Sequence, residues 1–358
     1  MPLRLAPAAV PASATRRALL QSALASGAAL ALPSFAWAAG RDDAGKGPLI
    51  TKPIPRSGER LPVIGLGTIW YRDANYATLK PVIERFLQLG GALIDTAAAY
   101  GESEGVIGRA LEELKLRDRA FLASKFDAGR SAAAPSSGAG SGPDVPRFSQ
   151  FGPGPGGVEG PPPGILRPVA DGVGGAASFE RSLQRLRTTR LDLLQVHNVA
   201  DAEQLLPQAL EWKRAGKVRY VGVSAAAANP ARLAEVLKAF PLDFVQLDYS
   251  LGNRAAEQGA LQLCLEQRAA VLVNLPLARN TLLRKAADQP LPDWAAEFGI
   301  RNWPQYFLKY VVSHAAVTCA IPGTTSVAHL EDNLDAARGR LPDESQRRRM
   351  AEYWDSLA

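Results

Sequence analysis

The chain has 358 residues, 47% hydrophobic and 21% charged, and its 41 Lys and Arg against 35 Asp and Glu give a formal net charge of +6. An excess that mild, spread along the chain, excludes a nucleic-acid interface as the organising feature. Of the 2 cysteines, Cys264 falls in a helical stretch and Cys319 in an apolar strand. Both read as buried and reduced, although an oxidising compartment would permit a disulfide, and no Cys/His cluster has metal-ligand spacing.

The first segment reads as an export signal rather than as fold. Thr15-Arg16-Arg17-Ala18-Leu19-Leu20-Gln21 resembles a twin-arginine motif, an Ala-rich apolar stretch follows to Leu32, and Ala36 and Ala38 give the small-residue cleavage pattern. Residues 1–38 are therefore predicted to be a signal peptide that engages the twin-arginine export machinery and delivers the protein to the periplasm. The apolar run is too short and too interrupted for a membrane span, and nothing later reads as one. Arg4, Arg16 and Arg17 are the only charged side chains before the cleavage point, so the remaining 320 residues carry +3. Residues 39–358 then suit a single (β/α)8 barrel domain, typically about 250 residues, with extra segments.

Strand and helix alternate along that domain. Ile50 to Pro62 reads as a hairpin turning at Ser57-Gly58, and Val63 to Thr68 as strand one, with a helix from about Ala74 to Leu89. Ala92-Leu93-Ile94 opens strand two, which delivers Asp95; Tyr100 lies in the loop beyond. Ser103 to Glu113 is a helix with Val106, Ile107, Ala110 and Leu111 on one face. Strand three, Ala120 to Lys125, ends in a lysine. A helix near Ala176 to Leu186 leads to strand four, which ends at His197. A further helix, about Ala202 to Arg214, leads to strand five, Val218 to Ser224. Pro230 opens the next helix at a position that costs no hydrogen bond. Strands six, seven and eight are Phe244 to Tyr249, Ala270 to Leu275 and Val317 to Ile321, and helix eight starts near Ser326. Eight such units with apolar strands predict an α/β fold closed as a TIM barrel. One segment breaks the pattern. Residues 127 to about 175 are crowded with Gly, Pro and Ser, cannot form a packed core, and read as a flexible insertion after strand three that leaves from the catalytic face.

Asp95, Tyr100, Lys125 and His197 each stand at or just past a strand's carboxyl end, where parallel α/β proteins place their chemistry. A phenol, with a reference pKa of about 10, is a poor acid at neutral pH. A neighbouring ammonium favours the phenolate and lowers that value, a carboxylate holds the ammonium, and an imidazole orients a carbonyl oxygen or helps move the proton. Together the four form a device for protonating a carbonyl oxygen as hydride arrives at its carbon.

The same residues resemble the aldo-keto reductase family. The likeness is carried by Gly65-Leu66-Gly67-Thr68, the run IDTAAAYGESEGVIGRAL from Ile94 to Leu111, Ser124-Lys125 and Gln195-Val196-His197-Asn198. It continues through Val221-Gly222-Val223-Ser224, Val245-Gln246-Leu247-Asp248-Tyr249-Ser250 and Ile321-Pro322-Gly323-Thr324, in family order between about residues 50 and 340. The resemblance implies a (β/α)8 barrel whose hairpin plugs the bottom. It also implies nicotinamide-dependent reduction of a small carbonyl substrate, with Asp95, Tyr100, Lys125 and His197 as the tetrad and Tyr100 as general acid.

It further implies a cofactor site formed by Gly67, Thr68, Asn198, Ser224 and Gln246, the last two matching residues that bond the carboxamide. Leu277 begins the loop that passes the pyrophosphate. Thr324, Thr325 and Ser326 enter a helix whose free amides and positive dipole end suit a phosphate, and Asn333 matches the adenine contact. Three departures stand out. Ala225 replaces a common Asn, Asn274-Leu275-Pro276-Leu277 lacks the usual stacking aromatic, and Gly323 and His329 occupy positions where many relatives carry Lys and Arg for the 2′-phosphate. NADPH is the expected cofactor and NADH the alternative. The rival function is a nicotinamide-binding regulatory or sensor barrel with little turnover.

Overall fold

Apolar runs bounded by turns become strands here, and the segments with period 3.6 become helices that lie over them. The structure, a computed structural model, describes residues 47–129, 174–225 and 230–357. The predicted signal segment and residues 130–173 of the insertion lie outside the described residues, and the described ones belong to the unit Trp37–Ala358. The strands are β1 (Thr51–Pro53), β2 (Arg60–Pro62), β3 (Leu66–Gly67), β4 (Leu93–Asp95), β5 (Phe121–Phe126), β6 (Leu191–Val196), β7 (Val218–Ser224), β8 (Phe244–Asp248), β9 (Ala270–Asn274) and β10 (Val317–Ala320). The helices are α1 (Tyr76–Gln88), α2 (Ser103–Leu114), α3 (Gly175–Arg185), α4 (Ala202–Arg214), α5 (Pro230–Ala239), α6 (Ala260–Glu266), α7 (Thr281–Ala286), α8 (Trp303–Ser313), α9 (Val327–Asp335) and α10 (Glu344–Ser356).

Strands β3 to β10 form one parallel sheet in chain order. Every residue of β5 and β6 is buried, as expected of strands covered on both faces. The sheet curls until its first strand meets its last. Gly65 N donates to Ala320 O at 2.8 Å, Ala320 N to Val63 O at 2.9 Å, and Gly67 N to Pro322 O at 3.1 Å. Gly67 is required at this seam, since a Cβ there would lie 2.8 Å from Ile321 O. Strand one is shorter than predicted, because Val63 to Gly65 bond across the seam and only Leu66 and Gly67 pair with β4. The architecture is consistent with the (β/α)8 barrel.

The antiparallel pair β1–β2 and its turn place Ile54 and Leu61 against Leu93, Phe121, Leu193, Phe244, Leu272 and Cys319, a buried cluster separate from the larger one beneath the helices. Cys264, in α6, and Cys319, in β10, are both free and buried. The two ends of the insertion meet, with Gly175 N donating to Asp127 O at 2.9 Å. Beyond it Phe179 of α3 stacks on Trp212 of α4 at 4.3 Å. Two helices carry no clear sequence signal. From Gln305 to Val312 every residue of α8 is buried, so it shows no polar stripe, and α10 lies past the last strand. Among the described residues no helix is long and apolar enough to cross a membrane, and no group of three or more His, Cys, Asp or Glu is placed to hold a metal ion.

Candidate active site

Strand register brings the four predicted residues together. Asp95 ends β4, Lys125 sits in β5 beside Gln195 of β6, and His197 follows β6 directly. Lys125 Nζ donates to Asp95 Oδ2 at 2.6 Å and to Thr96 O at 2.8 Å. The two charged side chains are 1% and 3% exposed. The half-buried Tyr100 ring lies over them, its centroid 5.2 Å from Lys125 Nζ, and the His197 ring meets it edge-on at 5.8 Å.

Small hydroxyls fix this corner. Thr68 Oγ1 donates to Asp95 O at 2.8 Å, and Ser103 Oγ donates to Thr68 O at 2.9 Å while also meeting Thr68 Oγ1 and Thr96 Oγ1 at 2.9 and 3.0 Å. Ser124, beside Lys125, donates to the buried Glu104 carboxylate at 2.6 Å, which binds β5 to α2. Tyr100 N donates to Ala97 O at 3.0 Å, and the turn that follows takes Gly101 to φ +62°, a conformation that suits glycine.

Burial would lower the Lys125 ammonium, but the Asp95 carboxylate and the Tyr100 phenol outweigh it and hold it above its ordinary value. Tyr100 departs from the sequence expectation. Burial raises its phenol above the usual value, and the Lys125 ammonium opposes that rise without reversing it. The reason is that this ammonium is shared with a carboxylate at hydrogen-bond distance, so the phenol feels a partly neutralised charge. Burial and the nearby Lys125 charge lower His197 to about 3, so its imidazole is neutral at ordinary pH.

The cofactor candidates fall into two groups. Ser224 and Gln246 are register partners on β7 and β8, with Gln246 buried and Ser224 half-buried. Thr68 is buried with its hydroxyl engaged on Asp95 and Ser103, and Gly67 lies at the seam. Asn198 is exposed and accepts from Ala200 N at 3.0 Å. After β9 the chain bends sharply. Leu275, Ala278, Arg279 and Asn280 all have φ between 47° and 65°, a strained path for non-glycine residues, with Leu277 half-buried between them. After β10, Thr324 is buried and accepts from Ser326 N at 3.1 Å, Thr325 is half-buried, and Ser326 caps α9 by accepting from His329 N at 3.4 Å. His329 is exposed on the first turn of α9 and Asn333 is buried on the same helix.

The sequence reading gave Gln195 no part in the site. Gln195, fully buried, donates from Nε2 to Gln246 Oε1 at 2.9 Å, while Gln195 Oε1 and Asp95 Oδ1 are buried without a hydrogen-bond partner among the described residues. Its signal was strand parity. Leu193 belongs to the buried cluster beneath the site, so Gln195 and His197, two and four residues on, share its face.

The aldo/keto reductase family model matches residues 63–352. Among curated proteins, an uncharacterised oxidoreductase of Schizosaccharomyces pombe is 30% identical over 178 residues, 48% of this chain and 56% of that protein. An aldo-keto reductase [NADP(+)] of the same organism is 24% identical over 80% of this chain and 86% of its own length. Among solved structures, an aldo/keto reductase from Klebsiella pneumoniae in complex with NADP and acetate superposes with a TM-score of 0.63, at 23% identity, covering 86% of this chain and 96% of its own. An aldo-keto reductase from Bacillus halodurans gives 0.61, at 21% identity, covering 87% and 96%. With the family model matching most of its length, the chain belongs to the aldo/keto reductase family of NAD(P)H-dependent oxidoreductases.

Proposed function

We propose that the protein reduces an aldehyde or ketone to the alcohol with NADPH, and that Tyr100 protonates the carbonyl oxygen. The observation that carries this reading is the buried Lys125–Asp95 pair lying under the Tyr100 ring.

The residues present fit a nicotinamide. The Gln246 amide, which accepts from Gln195 and bonds to Asp95, and Ser224, its register partner on β7, bring amide and hydroxyl groups of the kind that suits a primary carboxamide. Thr325 and Ser326 at the start of α9 suit a phosphate. Aldo/keto reductases of Klebsiella pneumoniae that share this fold are solved in complex with NADP or NADPH, which supports the same choice. When bound, the cofactor supplies the hydride. The chain's own work is proton delivery. Tyr100 is protonated at neutral pH because burial holds its phenol up. As it donates, the growing phenolate is met by Lys125, whose own proton is kept in place by Asp95. Neutral His197 offers one N–H, which orients the carbonyl oxygen rather than protonating it.

The test is NADPH consumption on adding benzaldehyde to purified protein, followed by loss of absorbance at 340 nm. The binding-only alternative draws on Gly323 and the exposed His329, which offer a 2′-phosphate little charge; cofactor binding with no turnover on a panel of aldehydes and ketones would favour it. We also propose export by the twin-arginine route and residence in the periplasm, from Arg16 and Arg17 and the apolar stretch after them. Mature protein in the periplasm of a strain carrying Arg16→Lys with Arg17→Lys would contradict that part.

A further inference from the structure

Two loops on the site face are tied together by bonds that run in opposite directions. In the loop after β3, half-buried Arg72 donates from Nη1 to Ile69 O at 2.9 Å and Tyr71 O at 2.6 Å, and reaches across to Tyr100 O at 3.3 Å. In the loop after β4, Glu102 Oε2 accepts from Asp73 N at 2.8 Å. Each loop therefore supplies one charged side chain that grips the other loop's backbone. The Glu102 carboxylate also attracts the guanidinium, offsetting part of the cost of its burial.

The two loops carry different parts of the site. The second holds Tyr100. The first holds Trp70, whose Cδ1 lies 3.9 Å from where a side chain at Gly323 would begin, so this loop borders the segment after β10. The backbone of Tyr100 has modest local support. Its carbonyl accepts from Ser103 N at 3.3 Å and from Arg72, and Gly101 follows at once. A phenol at the end of so short a turn takes its position from whatever fixes that carbonyl.

We propose that Arg72 is a positioning residue for Tyr100, and that the Arg72–Glu102 clasp makes the place of the acid depend on the place of the Trp70–Tyr71 loop. This rests on the carbonyl-reduction reading above. Its chemical content is that a substrate which settles or shifts the Trp70 loop also settles or shifts the proton donor. Arg72 thus acts on the proton-transfer step more than on cofactor binding.

The test uses the full chain, NADPH and benzaldehyde. Arg72→Met is expected to lower kcat about tenfold, since displacing an acid by a fraction of an ångström costs rate steeply, and to leave the NADPH Kd within about twofold. Backbone amide exchange over residues 97–103 is expected to quicken in that variant and stay unchanged in the strands. Glu102→Ala is expected to move the same quantities in the same direction by less. The double variant should fall no further than Arg72→Met, because the two residues act as one unit. Millimolar guanidinium should restore part of the lost rate to Arg72→Ala and none to Tyr100→Phe. A kcat for Arg72→Met within about twofold of wild type, or a loss of kcat matched by an equal loss of NADPH affinity, overturns the proposal. If Arg72→Met does not fold, Arg72→Lys is read by the same two criteria. If the wild-type protein consumes no NADPH, the reduction reading has failed on its own. The clasp is then decided by exchange over residues 97–103, where an unchanged rate in Arg72→Met overturns it and a faster one upholds it.

Discussion

The ends of β4 to β6 and the loop that follows β10 lie on the same face of the sheet, yet they are built on opposite plans. At the first, Asp95, Lys125 and Gln195 are buried on strands, and the hydroxyls of Thr68, Thr96 and Ser103 tie the corner together. At the second, Thr325 and Ser326 are half-buried on a loop, and His329 is exposed. The contrast separates two demands. Proton transfer, the step proposed for the first region, tolerates little displacement, and the side chains there are clamped by the fold. Cofactor affinity is a sum of contacts at a surface, where one can be exchanged without disturbing the core.

The strongest way to break this contrast is Tyr100→Phe. Reduction is expected to fall by about 10² to 10⁴-fold, the usual range for losing a general acid, with NADPH affinity little changed. Retention of a tenth of wild-type turnover or more would show that the phenol is not the acid. Lys125→Met comes next. It leaves the Asp95 carboxyl buried and unpaired, so denaturant unfolding should register a loss of about 3 kcal/mol, and a loss below about 0.5 kcal/mol would mean that the pair is not held as described. At the other end the effects shrink. His329→Arg adds a charge opposite a 2′-phosphate and is expected to tighten NADPH, and not NADH, by about tenfold, the equivalent of about 1.4 kcal/mol. Fluorescence titration of both cofactors decides this, and equal tightening of the two would exclude a 2′-phosphate contact.

Two further tests expect almost no change. His197 at about 3 and the raised Tyr100 phenol keep their protonation near neutral pH, and the Lys125 ammonium opposes the rise that burial gives the Asp95 carboxyl. Reduction should therefore be flat from about pH 5.5 to 9 and fall only on the alkaline side, as Tyr100 loses its proton. A rate-controlling step between pH 6 and 7 would show a group titrating there and contradict a His197 held neutral. Deleting residues 131–172 should leave the melting temperature within about 2 °C, because Gly175 N is already bonded to Asp127 O and the ends need no help to meet. A larger fall would show that the segment packs on the domain.

Most of the sheet was legible because each strand is an apolar run closed by a turn, and parallel strands buried on both faces leave that trace. Asp95, Tyr100, Lys125 and His197 could be singled out as candidates because strand ends are few and chemistry-bearing residues stand out there, and the fold brings the four together. Gln195 was passed over because a glutamine inside a strand has no signature of its own; only its parity with Leu193 and His197 marks it as inward. Helix α8 was hidden because a helix buried on all sides loses its period. The direction of the Tyr100 shift was misjudged because spacing along a chain gives neighbours but not how far a charge is already neutralised. Arg72 was invisible for a related reason, since it bonds to backbone oxygens, which any residue supplies.

The seam between Val63–Gly67 and Ala320–Pro322 bears on how the protein is made. The first and last strands of the sheet are partners, and some 250 residues separate them, so a chain still emerging from the ribosome cannot close. Until Val317–Ala320 has left the tunnel, every intermediate carries two open strand edges, the state most prone to pairing with another chain. Truncations anywhere before β10 should accordingly aggregate rather than fold in part. A route that exports only finished protein would meet this chain after synthesis ends, with its edges already joined.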